Sequence, residues 1–325
     1  MVSKYNLTDI SFSTTSFVFA RIQVLTWIAN GTSLLYLLEK NSCELLADII
    51  DGSDSSKAVV INFKGIKEID DHALDRVFKV LEDNTKEVII INGYSLYDKI
   101  ITSKKDSKTH ITTNSADETI IMGRNSAIST KIILEERQQY IDQYIKRVLS
   151  ETFQLFEGEQ RMCSTPIISN GEFNSSLIIS IPSRFIWITF FLSDMLFGLL
   201  EESKLTNVKL LSASLRGAPF AAMLGLINNL KFETIDHFGP KHKVYDVDFI
   251  QLKEQDINYI YVGDFVFGGT EIKIAKTYTE LKGSKLANAI CIGSLFDPKV
   301  FSSEFNLKAL LNIKDINPKA IFKLF

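Results

Sequence analysis

Tyr259-Ile260-Tyr261-Val262-Gly263-Asp264-Phe265-Val266-Phe267-Gly268-Gly269-Thr270-Glu271-Ile272 carries the sharpest pattern in this chain of 325 residues. An apolar run suited to a buried strand delivers one acid, Asp264. A short glycine-containing loop then lets the backbone come close to a ligand, and Thr270 opens a helix. Such a turn aims the unpaired N–H groups of a helix start at an anion, with the helix dipole adding favourable charge. A phosphate is the guest this geometry predicts.

Working outward from this stretch, strands and helices alternate from Thr206 onward, as a parallel sheet requires. Residues 208–213, 232–237, 258–262 and 287–293 read as strands, and residues 219–229 and 271–281 as helices. The expected fold is a doubly wound parallel sheet. Ligands of such sheets sit beyond the carboxyl ends of the strands, which selects the loops 214–218, 238–246 and 263–270.

The end of the first of those strands carries its own signal. Leu211-Ser212-Ala213-Ser214-Leu215-Arg216-Gly217-Ala218-Pro219-Phe220-Ala221-Ala222-Met223 is a strand end, a turn containing Arg-Gly, and a helix start. Pro219 suits a first helical turn because its missing N–H has no intrahelical partner there. Arg216 can grip a phosphate through two N–H groups at once. Arg216 stands 48 residues before Asp264, with one strand between them.

Taken together, these two stretches resemble the type I phosphoribosyltransferases. The resemblance covers about Arg161 to the end. It assigns Asp264 to the ribose hydroxyls and to Mg²⁺, and the loop Phe265, Val266, Phe267, Gly268, Gly269 and Thr270 to the 5′-phosphate. It assigns Ser214, Leu215, Arg216, Gly217 and Ala218 to the diphosphate of phosphoribosyl diphosphate, with Mg²⁺ as cofactor. The spacing from Asp264 to Thr270 follows the shorter, orotate-enzyme-like form. Gly263 stands where the family has its first acid, and Gly268 where a small hydroxyl or Ala is common.

Two further segments fit the same resemblance. Asp236-His237-Phe238-Gly239-Pro240-Lys241-His242-Lys243 falls where the family keeps a mobile basic lid, which makes Lys241 and Lys243 candidates for meeting the departing diphosphate. A solvated basic turn stiffened by Gly239-Pro240 is the alternative. Thr165-Pro166-Ile167-Ile168-Ser169-Asn170-Gly171-Glu172-Phe173 resembles the strands that cover the acceptor in orotate-type enzymes.

The N-terminal part is a different module. Ala58-Val59-Val60-Ile61-Asn62-Phe63 suits a central strand, and Asp70 or Asp71 can cap a helix through Ala73, Leu74, Val77, Phe78 and Leu81. Glu87-Val88-Ile89-Ile90-Ile91-Asn92 completes a right-handed β-α-β unit, while residues 17–51 read only as a core-forming segment. The order of Phe63-Lys64-Gly65-Ile66 and Ile69-Asp70-Asp71-His72-Ala73-Leu74 resembles the STAS domain over about residues 17–97, which implies a module for protein contacts. Asp71 occupies the place of that family's phosphorylatable Ser.

Residues 103–129, rich in Ser, Thr, Lys, Asp and Asn, read as a linker. Leu134, Ile141, Ile145, Val148, Leu149, Thr152 and Phe156 then mark an amphipathic helix ending at Gly158. That helix packs on its own domain, bridges the two, or forms a dimer seam in a homo-oligomer. The expected division is therefore 1–102 STAS-like, 103–160 linker and bridging helix, and 161–325 phosphoribosyltransferase-like.

Composition bounds the partners. The formal net charge of −3 and pI near 5.9 give no global signal for nucleic acid. Cys43, Cys163 and Cys291, odd in number and without a CxxC pair, read as reduced buried thiols of a cytoplasmic protein. Residues 1–9 have no secretory pattern. The apolar stretch 176–200 is interrupted by Pro182, Arg184 and Asp194, which favours a buried helix over residues 185–200 and no membrane span. His72 and His110 lack metal or triad spacing, and Trp27 and Trp187 read as core.

Two functions follow as expectations. One is an enzyme that takes a ribosyl group from phosphoribosyl diphosphate, including a defence-associated or toxin-like effector that attaches or removes such a group. The other is a sensor of a ribose phosphate or nucleotide that signals to a protein partner through the STAS-like part. A third option is a subunit of a larger complex.

Overall fold

A computed structural model describes the chain except for residues 1–3, 6–9, 15, 22–23, 29–30, 36, 39, 64–65, 71, 84–85, 105–106, 115–117, 124–128, 162–166, 236–255, 296–305, 316–320 and 325. The chain is mixed α/β with parallel sheets, in two units, Met1–Ile141 and Asp142–Phe325.

In the first unit, strands β1 (Ile10–Ser13), β2 (Phe17–Arg21), β3 (Ala58–Asn62), β4 (Glu87–Ile91), β5 (Ile111–Asn114) and β6 (Thr119–Gly123) form one sheet in the order β5-β6-β4-β3-β2-β1. β2, β3 and β4 are parallel, and the outer strands run antiparallel. β3 is buried along its whole length, the pattern of a strand covered on both faces. Helices α1 (Lys40–Gly52) and α2 (Asp75–Asp83) contribute Leu46, Ala47, Ile50, Val77, Phe78 and Leu81 to a core shared with Val59, Ile61, Val88, Ile90, Ile120 and Met122. A third helix, α3 (Tyr97–Ser103), adds Ile100.

The expected β-α-β unit is present, since β3 and β4 pair in parallel around α2. α2 begins at Asp75, later than the apolar spacing suggests. His72 takes a left-handed backbone conformation, and Ala73 N–H closes a turn on the Asp70 carbonyl. Asp71, Lys64 and Gly65 lie outside the described residues.

The reading of 103–129 as a linker is corrected. β5 and β6 form a hairpin inside that stretch, and β6 buries Ile120 and Met122 against β4. Its polar residues concealed a strand pair whose inward positions are apolar. The helix expected to run to Gly158 also ends sooner. α4 (Thr130–Thr152) buries Ile133, Ile141, Ile145, Val148 and Leu149, and leaves Leu134 exposed. Gly158 instead sits at φ 98° in strand β7 (Phe153–Arg161), within a register shift between Leu155 and Gln160. The 161 boundary therefore moves forward, because β7 pairs with β8 (Ile167–Phe173).

The second unit continues through α5 (Ser176–Ile179), α6 (Pro182–Ser203), β9 (Val208–Ser212), α7 (Ala218–Asn228), β10 (Lys231–Thr234), β11 (Asn258–Val266), α8 (Thr270–Leu281), β12 (Lys285–Ser294), β13 (Asn306–Asn312) and β14 (Phe322–Leu324). β9 to β13 make a parallel sheet in the order β10-β9-β11-β12-β13. β7, β8 and β14 form a separate antiparallel sheet. α6 and α7 pack together and against the large sheet. α8 covers the face bearing Leu211, Tyr259, Tyr261, Cys291 and Leu307.

α6 is long and apolar enough to cross a membrane by length and composition alone. Its Ile188, Leu192, Leu196 and Leu199 are buried in the unit's core, and Ser193 Oγ donates to Asn228 Oδ1 at 3.0 Å. Cys43 and Cys291 are both free and buried. Burial pushes the Cys43 thiol up to about 12 and raises Cys291 as well, which leaves both unreactive. Cys163 lies outside the described residues.

Two ion pairs to one carboxylate pin the sheet edge. Burial would raise the pKa of Glu233 on β10, but Lys209, Lys282 and the Tyr278 hydroxyl hold it down near 2. In the first unit Lys86, 6% exposed, spends its ammonium on the carbonyls of Ile50, Asp51 and Ser53 at 2.6, 2.6 and 2.9 Å. Those carbonyls lie at the C-terminal end of α1, where Ile50 O also accepts from the Ser53 N–H and hydroxyl. Replacing Lys86 with Met removes three charge-assisted donations from the protein, so we predict a loss of about 3 kcal/mol in urea unfolding; a loss below about 0.5 kcal/mol contradicts this role.

Candidate functional site

The order β10-β9-β11-β12-β13 reverses direction between β9 and β11. The chain turns from β9 to β10 on one side and from β11 to β12 on the other. The crevice beyond the carboxyl ends of those two strands is where open α/β sheets take ligands. β9 and β11 are neighbours in parallel register, Leu210 with Ile260 and Leu211 with Tyr261. The two stretches picked out of the sequence therefore leave adjacent strands at the same edge.

The first turn is built around Ser214. Its Oγ accepts from Gly217 N–H at 3.0 Å, and its carbonyl accepts from Ala218 N–H at 3.0 Å. Those two N–H groups, expected at the diphosphate, are thus turned inward. Gly217 is required by space: a Cβ there would lie 2.6 Å from Ser212 Oγ and 3.0 Å from the Val262 carbonyl. Leu215 is 84% exposed, and Arg216 is exposed beside it, its Nη1 3.5 Å from the Phe173 carbonyl of β8. Pro219 occupies the first turn of α7, which has no side-chain N-cap.

In the second turn, Asp264, Phe265 and Val266 belong to β11 itself, where the sequence reading ended the strand at Val262. The strand runs on because β12 keeps pairing with it, Phe265 opposite Gly293 and Val266 opposite Ser294. The loop proper is Phe267, Gly268 and Gly269. Gly269 stands at φ 70°, a left-handed conformation that only glycine adopts without strain, and it caps α8. The N-cap of α8 is Gly269, which has no side chain to offer the first turn of the helix a capping oxygen. Thr270 is exposed, and Phe267 and Gly268 are partly buried.

Asp264 is 7% exposed. Burial raises its pKa, and the Phe265 N–H, the Ser175 hydroxyl and the Arg216 charge oppose that rise. Ser175, at the start of α5, is fully buried, and its Oγ approaches this carboxylate without a hydrogen bond of normal geometry. The structure therefore brings Asp264, Arg216 and Ser175 together at one strand edge. Ser175 carried no signal in the sequence, since a lone serine after a strand is indistinguishable from any turn residue.

Phe265 is buried. Its ring stacks on Phe173 of β8 at 4.6 Å and crowds Gly293. Phe173 also meets Phe153 at 4.8 Å, and Phe267 meets Phe322 at 5.6 Å. These rings join the antiparallel sheet of β7, β8 and β14 to the end of β11. Lys241 and Lys243, the lid candidates, lie outside the described residues, as does His242. Among the described residues no three His, Cys, Asp or Glu side chains gather as a metal site.

No protein-family model and no curated protein matches this sequence. Among solved structures the chain is similar to an orotate phosphoribosyltransferase from Aeropyrum pernix, with 15% identity over 55% of this chain and 97% of that one and a TM-score of 0.40. It is similar to the adenine phosphoribosyltransferase of Leishmania tarentolae, with 11% identity over 53% and 89% of the two chains and a TM-score of 0.39. A third is the UMP synthase of Leishmania donovani, with 10% identity over 85% of this chain and 60% of that one and a TM-score of 0.42.

The raised pKa of Asp264 has a direct consequence for stability. A carboxyl whose folded pKa lies above its unfolded value favours folding only while protonated, and that contribution is lost as pH rises through the folded pKa. Asp264→Asn is therefore expected to melt higher than the parent protein at pH 8, with the difference shrinking as pH falls through the raised folded pKa and levelling off once it reaches the ordinary carboxyl value of 3.8. Thermal unfolding across that range checks it, and a gap that widens in acid contradicts it.

Proposed function

We propose that the second unit is a phosphoribosyltransferase-type domain that binds phosphoribosyl diphosphate, or a related ribose phosphate, across the switch point between β9 and β11. The observation that carries this reading is the convergence of Asp264, Arg216 and the uncapped start of α8 on one strand edge. Asp264 accepts the ribose hydroxyls, and the turn at Gly268, Gly269 and Thr270 receives the 5′-phosphate. Arg216, next to Ser214, Leu215, Gly217 and Ala218, faces the diphosphate.

In the transfer reaction the C1–oxygen bond to the diphosphate breaks, and the diphosphate leaves with the electron pair. An incoming nucleophile forms the new bond to C1. These residues bind, orient and stabilise charge; no covalent nucleophile is required. Lys241 and Lys243 are the candidates for closing over the leaving group, and a defence or toxin-like role would follow from the choice of acceptor. Among the described residues, the Mg²⁺ implied by the resemblance would meet Asp264 with no second carboxylate beside it, so a cation clamped between two protein acids does not fit them.

A second reading is favoured by Gly263, whose place beside Asp264 holds no acid. In it the unit binds the same ligand without consuming it and signals through the STAS-like first unit to a protein partner. Incubating the protein with phosphoribosyl diphosphate, with and without Mg²⁺, separates the two. With water as the only acceptor present, slow release of diphosphate and ribose 5-phosphate supports transfer chemistry, and recovery of intact ligand supports sensing. In either case Arg216→Ala should weaken binding about tenfold or more, the worth of a charge-assisted hydrogen bond. An unchanged affinity removes Arg216 from the site.

A further inference from the structure

The resemblance places an acid immediately before Asp264, and this fold gives that position no room for one. A Cβ built on Gly263 would lie 2.7 Å from Tyr261 Cε1, 2.8 Å from its Oη and 3.1 Å from its Cζ. Separations this short are repulsive in a close-packed interior. The ring is poorly placed to yield. Tyr261 is fully buried, in one core cluster with Leu211, Tyr259, Ile272 and Cys291, and its hydroxyl donates to Glu271 Oε2 at 2.7 Å. That bond also engages the carboxylate of Glu271, the acid in the first turn of α8.

The groups around Asp264 point the same way. Arg216 supplies a positive charge, the Phe265 N–H a donor, and Ser175 a buried hydroxyl lacking a hydrogen bond of normal geometry. A divalent cation asks for several oxygen ligands and a surplus of negative charge. Among the described residues, the single acid here is already offset by an arginine.

We infer that this site takes its ribose phosphate without a divalent cation, the Tyr261 ring filling the space of the second carboxylate and Asp264 receiving the ribose hydroxyls directly. The inference rests on the ribose-phosphate reading above. Burial raises the cost of an ionised Asp264, and a hydroxyl donor relieves that cost without bringing a strongly hydrated ion into the crevice. Ser175 is positioned to add a further hydrogen bond once a ligand orders the carboxylate.

The test is calorimetric titration of the full chain with ribose 5-phosphate, in EDTA and again in excess Mg²⁺. We expect the same dissociation constant within about twofold in the two buffers, and a loss of about tenfold for Asp264→Asn in EDTA, where tenfold corresponds to 1.4 kcal/mol. Binding about tenfold tighter with Mg²⁺ overturns the inference and leaves the ribose-phosphate reading standing. Full affinity in Asp264→Asn places the ligand elsewhere and also overturns it. The absence of binding in both buffers removes the reading on which the inference rests.

Discussion

The site depends on a backbone contact that only glycine allows. Gly217 passes so close to the Val262 carbonyl and the Ser212 hydroxyl that a single added carbon would collide with both. Because that turn lies flat against β11, the loop after β9 and the loop after β11 open onto the same crevice. The sheet supplies the rest. Parallel pairing of β9 with β11 sets the two ends level, and the left-handed Gly269 aims the start of α8 at the same place. Neither loop could form this site alone, since one brings Arg216 and the other brings Asp264.

What the crevice can do follows from how it is walled. Phe153, Phe173, Phe265, Phe267 and Phe322 make an apolar join between the antiparallel sheet and the end of β11. Beside that dry wall Asp264 loses most of its water, and its ionised form becomes costly unless donors replace the hydration. Arg216, the Phe265 N–H and Ser175 replace part of it. A ligand with hydroxyls replaces more, because Asp264 is buried and the Ser175 hydroxyl beside it lacks a hydrogen bond of normal geometry. Tyr261, bonded to Glu271, closes the other side against a second acid.

Much of this was legible in the sequence because the signals were local. The β-branched and aromatic runs at residues 58–62, 87–91, 208–212 and 258–262 are strands, and Pro219 and Gly269 mark helix starts where they were read. What escaped was decided by neighbours distant in the chain. The end of β11 is set by how far β12 keeps pairing, so Asp264 to Val266 passed for loop. The hairpin of β5 and β6 was hidden because its outward positions are polar and only its partner β4 gives the inward ones a core. Ser175 and the Tyr261 ring become meaningful only once the sheet has folded around Asp264, and no spacing rule relates them.

The central claim is that two turns from adjacent strands form one anion site. The most direct measurement follows backbone amide resonances in an isotope-labelled protein as inorganic phosphate is added. The account predicts that the amides of Leu215 and Arg216 and those of Gly268, Gly269 and Thr270 shift together along a single binding curve. Shifts confined to one turn, or two curves with different midpoints, would contradict it.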